Sequence, residues 1–327
     1  MQLSIRNDIS QAYELIGDEL HRVRECIAEQ FAGADEPTRQ LLEAFNKSGG
    51  KMIRPALVIL SGRACGKITD EHIRVAAIAE MIHNATLLHD DVIDDGKTRR
   101  GVETVNSLWG NEVAVLLGDF MLCKVFGMCS SLDKKVVDII SETATRTCMG
   151  ELRQIMNRFN WRLSEAEYIE IITDKTAVLF GSCARLGALL AKGSKKEQEI
   201  LSRFGRDVGI AFQITDDLLD IVGEQKQTGK TVGNDVDKNK LTLAVINMLE
   251  NTQENQKGEV IKKLIVARDS KSAFSEILKS NGSLEYAYSR AKEYVSGATN
   301  ALSSLKDNSV IEALSKTANF ITERVVM

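Results

Sequence analysis

Residues 71–101 read "EHIRVAAIAEMIHNATLLHDDVIDDGKTRRG". From 71 to 89 apolar side chains recur at helical spacing without a breaker, which predicts one long helix. Asp90, Asp91, Asp94 and Asp95 then crowd into six positions and close that helix, and Lys97, Arg99 and Arg100 follow at once. Like charges this close repel one another, and on a solvated helix surface the crowding gains nothing. Gly96 and Gly101 bracket the basic turn beyond.

Working outward, helical text resumes over 103–130 and 135–158 and again after "RLSEAEY", where Ser164 and Glu167 stand at capping-box spacing. Two further long helices are predicted over 167–192 and 196–222. The least helical stretch is "GEQKQTGKTVGNDVDKNK" (223–240), with three glycines and four lysines. Helices continue from 241 to the end, interrupted near "SNGSLE". No segment has strand periodicity, and no internal repeat or low-complexity tract stands out. The expected fold is all-α.

The composition agrees. Of 327 residues 43% are hydrophobic and 5% aromatic, and Pro37 and Pro55 are the two prolines, which favours long amphipathic helices. No linker divides the chain, so one domain over 1–327 is expected, large enough to bury its core without disulfides. A formal charge of −4 argues against nucleic acid as a partner. Cys26, Cys65, Cys123, Cys129, Cys148 and Cys183 form no CxxC pair and read as small buried hydrophobes of a reducing compartment. The start "MQLSIRNDISQAYEL" is no signal peptide, and no apolar run approaches the roughly 20 residues that cross a bilayer. A soluble cytoplasmic protein is expected.

Asp90, Asp91 and Asp94 form a DDxxD whose members share a helix face, with Asp95 off it. Such an oxygen-only set suits Mg²⁺, which keeps waters and shares a substrate phosphate. A lone cluster of this kind is as readily a solvated helix end. But "FQITDDLLDIVG" repeats the spacing at Asp216, Asp217 and Asp220, with Gln213 on the same face. Two such clusters on buried helices need cations between them. No His or Cys stands at ligand spacing to either, which disfavours zinc and iron. Arg99 and Arg100 follow the first cluster and Lys230 and Lys240 the second, the cations that diphosphate oxygens require. Lys238 reads as charge balance. In "GGKMIRPAL", Lys51 and Arg54 sit three apart at a helix start, a further anion site. His83, two turns before Asp90, reads by itself as an interior residue.

Together "GGKMIRP", "LLHDDVIDDGKTRRG", "DKTAVLF", "FQITDDLLD" and "GKTVGNDVDKNKLTLAVI" resemble, in order, the motifs of the trans-isoprenyl diphosphate synthase family. The resemblance implies an isoprenoid synthase-type helical bundle around a deep central cavity, and a homodimer. It implies that Asp90, Asp91, Asp94, Asp216, Asp217 and Asp220 hold about two to three Mg²⁺ ions on an allylic diphosphate. Arg99, Lys175, Lys230 and Lys240 would contact that diphosphate. Lys51, Arg54, His83 and Arg100 would hold isopentenyl diphosphate, and Thr176 and Gln213 would face the reacting carbons.

In this family bulk just before the first acid motif limits product length. Ala85 and Thr86 are small here, so the cavity floor is expected deeper, near Met81, Ile78 or Phe126. A long-chain all-trans product grown from farnesyl or geranyl diphosphate is expected. It would serve as a quinone side-chain precursor and leave at a membrane surface. The alternatives are a farnesyl or geranylgeranyl diphosphate synthase, a non-catalytic partner subunit, and a terpene cyclase, whose usual second motif is absent.

Overall fold

The computed structural model describes residues 13–47, 49–223, 240–267, 270–305 and 309–325. They are helical almost throughout. The order is α1 (Gly17–Phe31), α2 (Glu36–Asn46), α3 (Ile53–Cys65), α4 (Asp70–Ile93), a small hairpin, α5 (Val105–Trp109), α6 (Asn111–Cys129) and α7 (Lys134–Met156). There follow α8 (Glu165–Ile172), a π-helical turn (Thr173–Ala177), α9 (Val178–Leu190) and α10 (Lys195–Val222). Last come α11 (Leu243–Glu250), α12 (Glu254–Ala267), α13 (Lys271–Ser280), α14 (Ser283–Leu302) and α15 (Ser309–Glu323).

The centre is α3, α9 and α10, with α4 packed on α3 and α6, and α14 on α10. α3 is buried on every side from Ile53 to Gly62, as a helix apolar all round must be. Pro55 lies in its first turn, where an N–H would lack an intrahelical partner anyway. The main core draws on residues from Ile16 to Val325, with Phe180, Phe204 and Leu57 fully buried. A second apolar cluster joins Leu42, Phe45, Ala85, Leu88, Val105, Ala114, Leu117 and Met121 between α2, α4 and α6. Burying each such large side chain contributes roughly 1.5–3 kcal/mol.

α4 positions half the site. At its start the Thr69 N–H donates to His72 Nδ1 at 3.1 Å, and His72 Nε2 lies 3.1 Å from the Gly187 carbonyl oxygen. The helix runs through the acids and stops at Asp94, as expected. The capping box at Ser164 is present: Glu167 N–H donates to Ser164 Oγ at 3.3 Å and Ser164 N–H to Glu167 Oε2 at 2.9 Å.

Five expectations need correcting. Thr98–Arg99 and Val102–Glu103 pair as antiparallel two-residue strands, Thr98 with Glu103 and Arg99 with Val102. Between them Arg100 (φ 53°) and Gly101 (φ 81°) are both left-handed, the backbone that a two-residue hairpin turn demands. The helix expected over 103–130 breaks at Gly110, and that over 167–192 carries the π-turn. Cys123 and Cys148 are exposed, and Phe126 is 70% exposed. These three lie on outward faces of α6 and α7, whereas Leu117, Met121, Val125 and Met128 take the inward face of α6. Phe126 therefore forms no floor of a cavity within its own chain. All six cysteines are unpaired. Among the described residues no helix is long and apolar enough to cross a membrane.

Candidate active site

The hairpin turns Arg99 back onto the end of α4. Its Nε donates to Asp91 Oδ1 and Oδ2 at 3.0 and 3.1 Å, and its Nη2 to Oδ1 at 2.7 Å. Asn106 Nδ2 holds the bend by donating to the carbonyls of Asp91 and Gly96, each at 3.1 Å. Asp94 takes Lys240 Nζ on Oδ2 at 2.8 Å and Arg158 Nη2 on Oδ1 at 3.3 Å. Burial pushes the Asp90 carboxyl up to about 6, and Glu151 and Asp94 add to this against the pull of Lys175 and Arg99.

The second acid cluster lies on α10 and meets the first around Arg99. Besides Asp91 and Asp90, that guanidinium feels Asp216, and together the acids hold its pKa above the usual value against the cost of burial. Asp217 is buried and accepts from Tyr168 Oη on Oδ2 at 2.6 Å and from Gln213 Nε2 on Oδ1 at 2.8 Å. Gln213 Oε1 in turn accepts from Thr176 Oγ1 at 2.7 Å. Lys175 Nζ donates to Gln154 Oε1 and meets Glu151 Oε2, both at 2.6 Å. Burial works against the Lys175 charge, yet Asp90 and Glu151 hold its pKa above the ordinary lysine value.

Beside the acids stands a nest of cations. Arg54, 8% exposed, lies 4.7 Å above the Phe180 ring. Glu80, also buried, faces Arg54 and Arg100; burial pushes its carboxyl up, and both arginines pull it back down. A Cβ at Gly50 would stand 3.1 Å from Glu80 Oε1 and 3.6 Å from Arg100 Nη1, so the loop carrying Lys51 closes on the same group. Lys51 Nζ is 4.8 Å from the Phe320 ring. Arg99 bonds Asp91, whereas Arg100 faces Glu80 and shares Asp216 with Arg99. Half-buried His83 lies on α4 between Glu80 and the acids.

The structure therefore gathers Asp90, Asp91, Asp94, Arg99, Lys175 and Lys240 with Thr176, Gln213, Asp216 and Asp217, and places Lys51, Arg54 and Arg100 alongside. Asp220 is on α10 one turn beyond Asp216. Lys230 and Lys238 lie outside the described residues. Ala85 and Met81 are both fully buried but face different clusters, Met81 the main core and Ala85 the α4–α6 contact. Thr86 is half-buried and donates its hydroxyl to the His83 carbonyl at 2.8 Å.

Sequence reasoning missed Glu80, Glu151, Gln154, Arg158, Tyr168 and Arg324. Glu80 had a signal, a lone acid inside "VAAIAEMI". Arg324 had none. It comes from the far end of the chain, stacks 4.5 Å from the Phe212 ring, and feels Asp216.

Among the described residues no three carboxylate, imidazole or thiol groups converge into a preformed metal cage. The donor set still fits a hard divalent cation, since it is all oxygen and carries an acid, Asp90, for which protein cations compensate poorly. It fits anions as well. Arg54 Nε, Arg158 Nε and Arg324 Nη2 are buried donors without hydrogen-bond partners, an arrangement that costs about 1–3 kcal/mol per group until something accepts from them.

A helical bundle with two facing acid clusters and a flanking cation nest defines a class, the enzymes that handle prenyl diphosphates. Residues 35–280 match the polyprenyl synthetase family, and the chain belongs to it. It is 35% identical over 321 residues to the octaprenyl diphosphate synthase of Escherichia coli (strain K12), covering 97% of this chain and 99% of that one. It is 34% identical to the short chain isoprenyl diphosphate synthase of Methanothermobacter thermautotrophicus, over 97% of this chain and 98% of that one. The crystal structure of a polyprenyl synthase from Caulobacter crescentus CB15, complexed with calcium and isoprenyl diphosphate, superposes with a TM-score of 0.90. That match is at 30% identity and covers 96% of this chain and 97% of that one.

Proposed function

We propose that this chain, acting as a single domain in the cytoplasm, joins isopentenyl diphosphate head to tail to an allylic diphosphate and builds a long-chain all-trans polyprenyl diphosphate. The allylic starter is farnesyl or geranyl diphosphate. The observation that carries this reading is the adjacency of two anion sites. Arg99 is bonded to Asp91, and Arg100 faces Glu80 of the Arg54 nest as well as Asp216, so the two sites adjoin and two diphosphates can lie side by side. A reaction between two diphosphate esters needs that arrangement.

Asp90, Asp91, Asp94, Asp216, Asp217 and Asp220 are the groups that would hold Mg²⁺. When bound, Mg²⁺ supplies positive charge to the diphosphate that leaves. Arg99, Lys175, Lys230 and Lys240 donate to oxygens of the same diphosphate, the kind of aimed charge that carries most of many catalytic effects. Lys51, Arg54, His83 and Arg100 hold isopentenyl diphosphate. The allylic C–O bond breaks, with its electron pair going to diphosphate. The double bond of isopentenyl diphosphate then forms the new C–C bond, and a proton is lost to the departed diphosphate. Thr176 and Gln213 present oxygen dipoles to the cationic carbon, and apolar walls keep water from it.

The small residues Ala85 and Thr86 before the acids support a long product. The test is incubation with labelled isopentenyl diphosphate, farnesyl diphosphate and Mg²⁺, followed by sizing of the products. Long-chain products that vanish on chelation of the metal are expected. Farnesyl or geranylgeranyl products would leave the reaction standing and overturn the length. No incorporation would overturn the reaction.

The outward faces of α6 and α7 fit a homodimer. Leu116 (66% exposed), Phe126 (70%) and Met156 (83%) are exposed on these helices with Val115, Met149 and Leu152, and a second copy would remove this apolar surface from water. Leu116→Asp with Phe126→Asp is expected to convert a dimer into a monomer in sedimentation. An unchanged mass for the double variant would place the interface elsewhere.

A further inference from the structure

Asp174 takes no part in the reaction above, yet it is 9% exposed and held by two arginines of α7. Arg146 donates from Nε and Nη2 to Oδ1 at 2.8 and 2.6 Å, and Arg153 from Nη1 to Oδ2 at 2.9 Å. The next residue, Lys175, reaches Glu151 and Gln154 of the same helix. In an ordinary α-helix adjacent side chains diverge by about 100°. Here both members of the pair meet α7 at a π-turn. Val178 N–H donates to the Thr173 carbonyl, one residue further back than in an α-helix, and the extra residue widens the turn.

α7 is shaped to receive this turn. Arg146, Gly150 and Arg153 fall on one face at i, i+4 and i+7. A Cβ at Gly150 would collide with the Lys175 backbone nitrogen, so glycine lets the two backbones touch. A turn without the bulge would swing Lys175 away from Glu151 and Asp90. Such π-turns are uncommon and need support from outside, and the two-arginine clamp is the support on view.

We propose that Asp174 is a positioning residue: clamped by Arg146 and Arg153, it holds the π-turn in its bulged register and so sets where the Lys175 ammonium stands. This rests on the proposed role of Lys175. The first variant is Asp174→Asn, which keeps the shape and removes the charge. Its kcat for condensation is expected to fall about 10–100-fold with KM for isopentenyl diphosphate within about twofold, as a displaced catalytic group predicts. The deciding measurement is a double-mutant cycle. In a Lys175→Ala background, Asp174→Asn should cost less than about twofold more, because the group it places is gone. If Asp174→Asn does not fold, Arg146→Gln with Arg153→Gln attacks the clamp from its half-exposed side and should give the same pattern. A wild-type kcat in these variants, or an equal loss with and without Lys175, overturns the proposal. Assay of the wild-type chain alongside separates the two readings. No incorporation by wild type overturns the proposed reaction itself, whereas wild-type turnover with an unaffected Asp174→Asn overturns this inference alone.

Discussion

Asp90→Ala and Asp216→Ala are each expected to lower kcat by about 10³-fold or more, since each removes a carboxylate that would hold the Mg²⁺ whose charge the leaving diphosphate needs. For Asp90→Ala the thermal midpoint should not fall with it. Asp90 is desolvated by its surroundings and crowded by Glu151 and Asp94, so its ionised form is disfavoured in the folded protein. Removing that carboxylate relieves repulsion, and the metal-free variant should melt at or above the wild-type temperature. Asp216 differs in setting, lying within reach of Arg99, Arg100 and Arg324. Its removal frees those cations from a partner and is expected to cost a little stability at neutral pH. Near-normal turnover in either purified variant would defeat the assignment of the two acid clusters to a shared cation site. Calorimetry on the same samples separates lost chemistry from lost fold.

Ala85→Phe is expected to shorten the product by several isoprene units while leaving the KM for isopentenyl diphosphate little changed. Ala85 stands five residues before Asp90, about 7.5 Å along the helix axis at 1.5 Å per residue. It has no exposed surface and touches the cluster of Leu88, Val105, Ala114, Leu117 and Met121. A phenyl ring there has two outlets. It can wedge α4 from α6, with an overpacking cost of about 1–3 kcal/mol, or it can project along α4 into the path of the growing chain. Both narrow the space beneath the acids. Product sizing distinguishes this from plain destabilisation, which would lower yield without changing the length. An unchanged length distribution would move the floor to the main core beside Met81 and Ile78.

The parts of this architecture that could be read from sequence are those with a period or a cap. α4 announces itself by its apolar spacing, and Ser164 with Glu167 announces the start of α8. The two acid clusters are legible because their spacing is a helix spacing, and the facing arrangement follows from electrostatics. The hairpin was illegible since strands of two residues carry no alternation. Its left-handed Arg100 is a residue that propensity would not put there. The π-turn leaves no trace, because one extra residue in a helix alters neither composition nor hydrophobicity. Outward Phe126 and Cys123 misled for another reason. α6 is apolar on both sides, so periodicity cannot tell the core face from a face that a second copy would cover. Glu151, Tyr168 and Arg324 join the site by tertiary contact alone.

The bonds running from Tyr168 to Thr176 carry a direction as well as a connection. An ionised Asp217 can only accept, which obliges Gln213 to turn its amino group toward it and its amide oxygen toward Thr176. The Thr176 hydrogen is thereby spent, and only oxygen lone pairs remain to look outward. The polarity of that hydroxyl, which in the proposed reaction faces a nascent carbocation, is thus dictated from an aspartate two links away. On that proposal the anion-holding and cation-facing ends of the cleft form one polarised wire, so neutralising Asp217 should scramble the far end even where every contact distance survives.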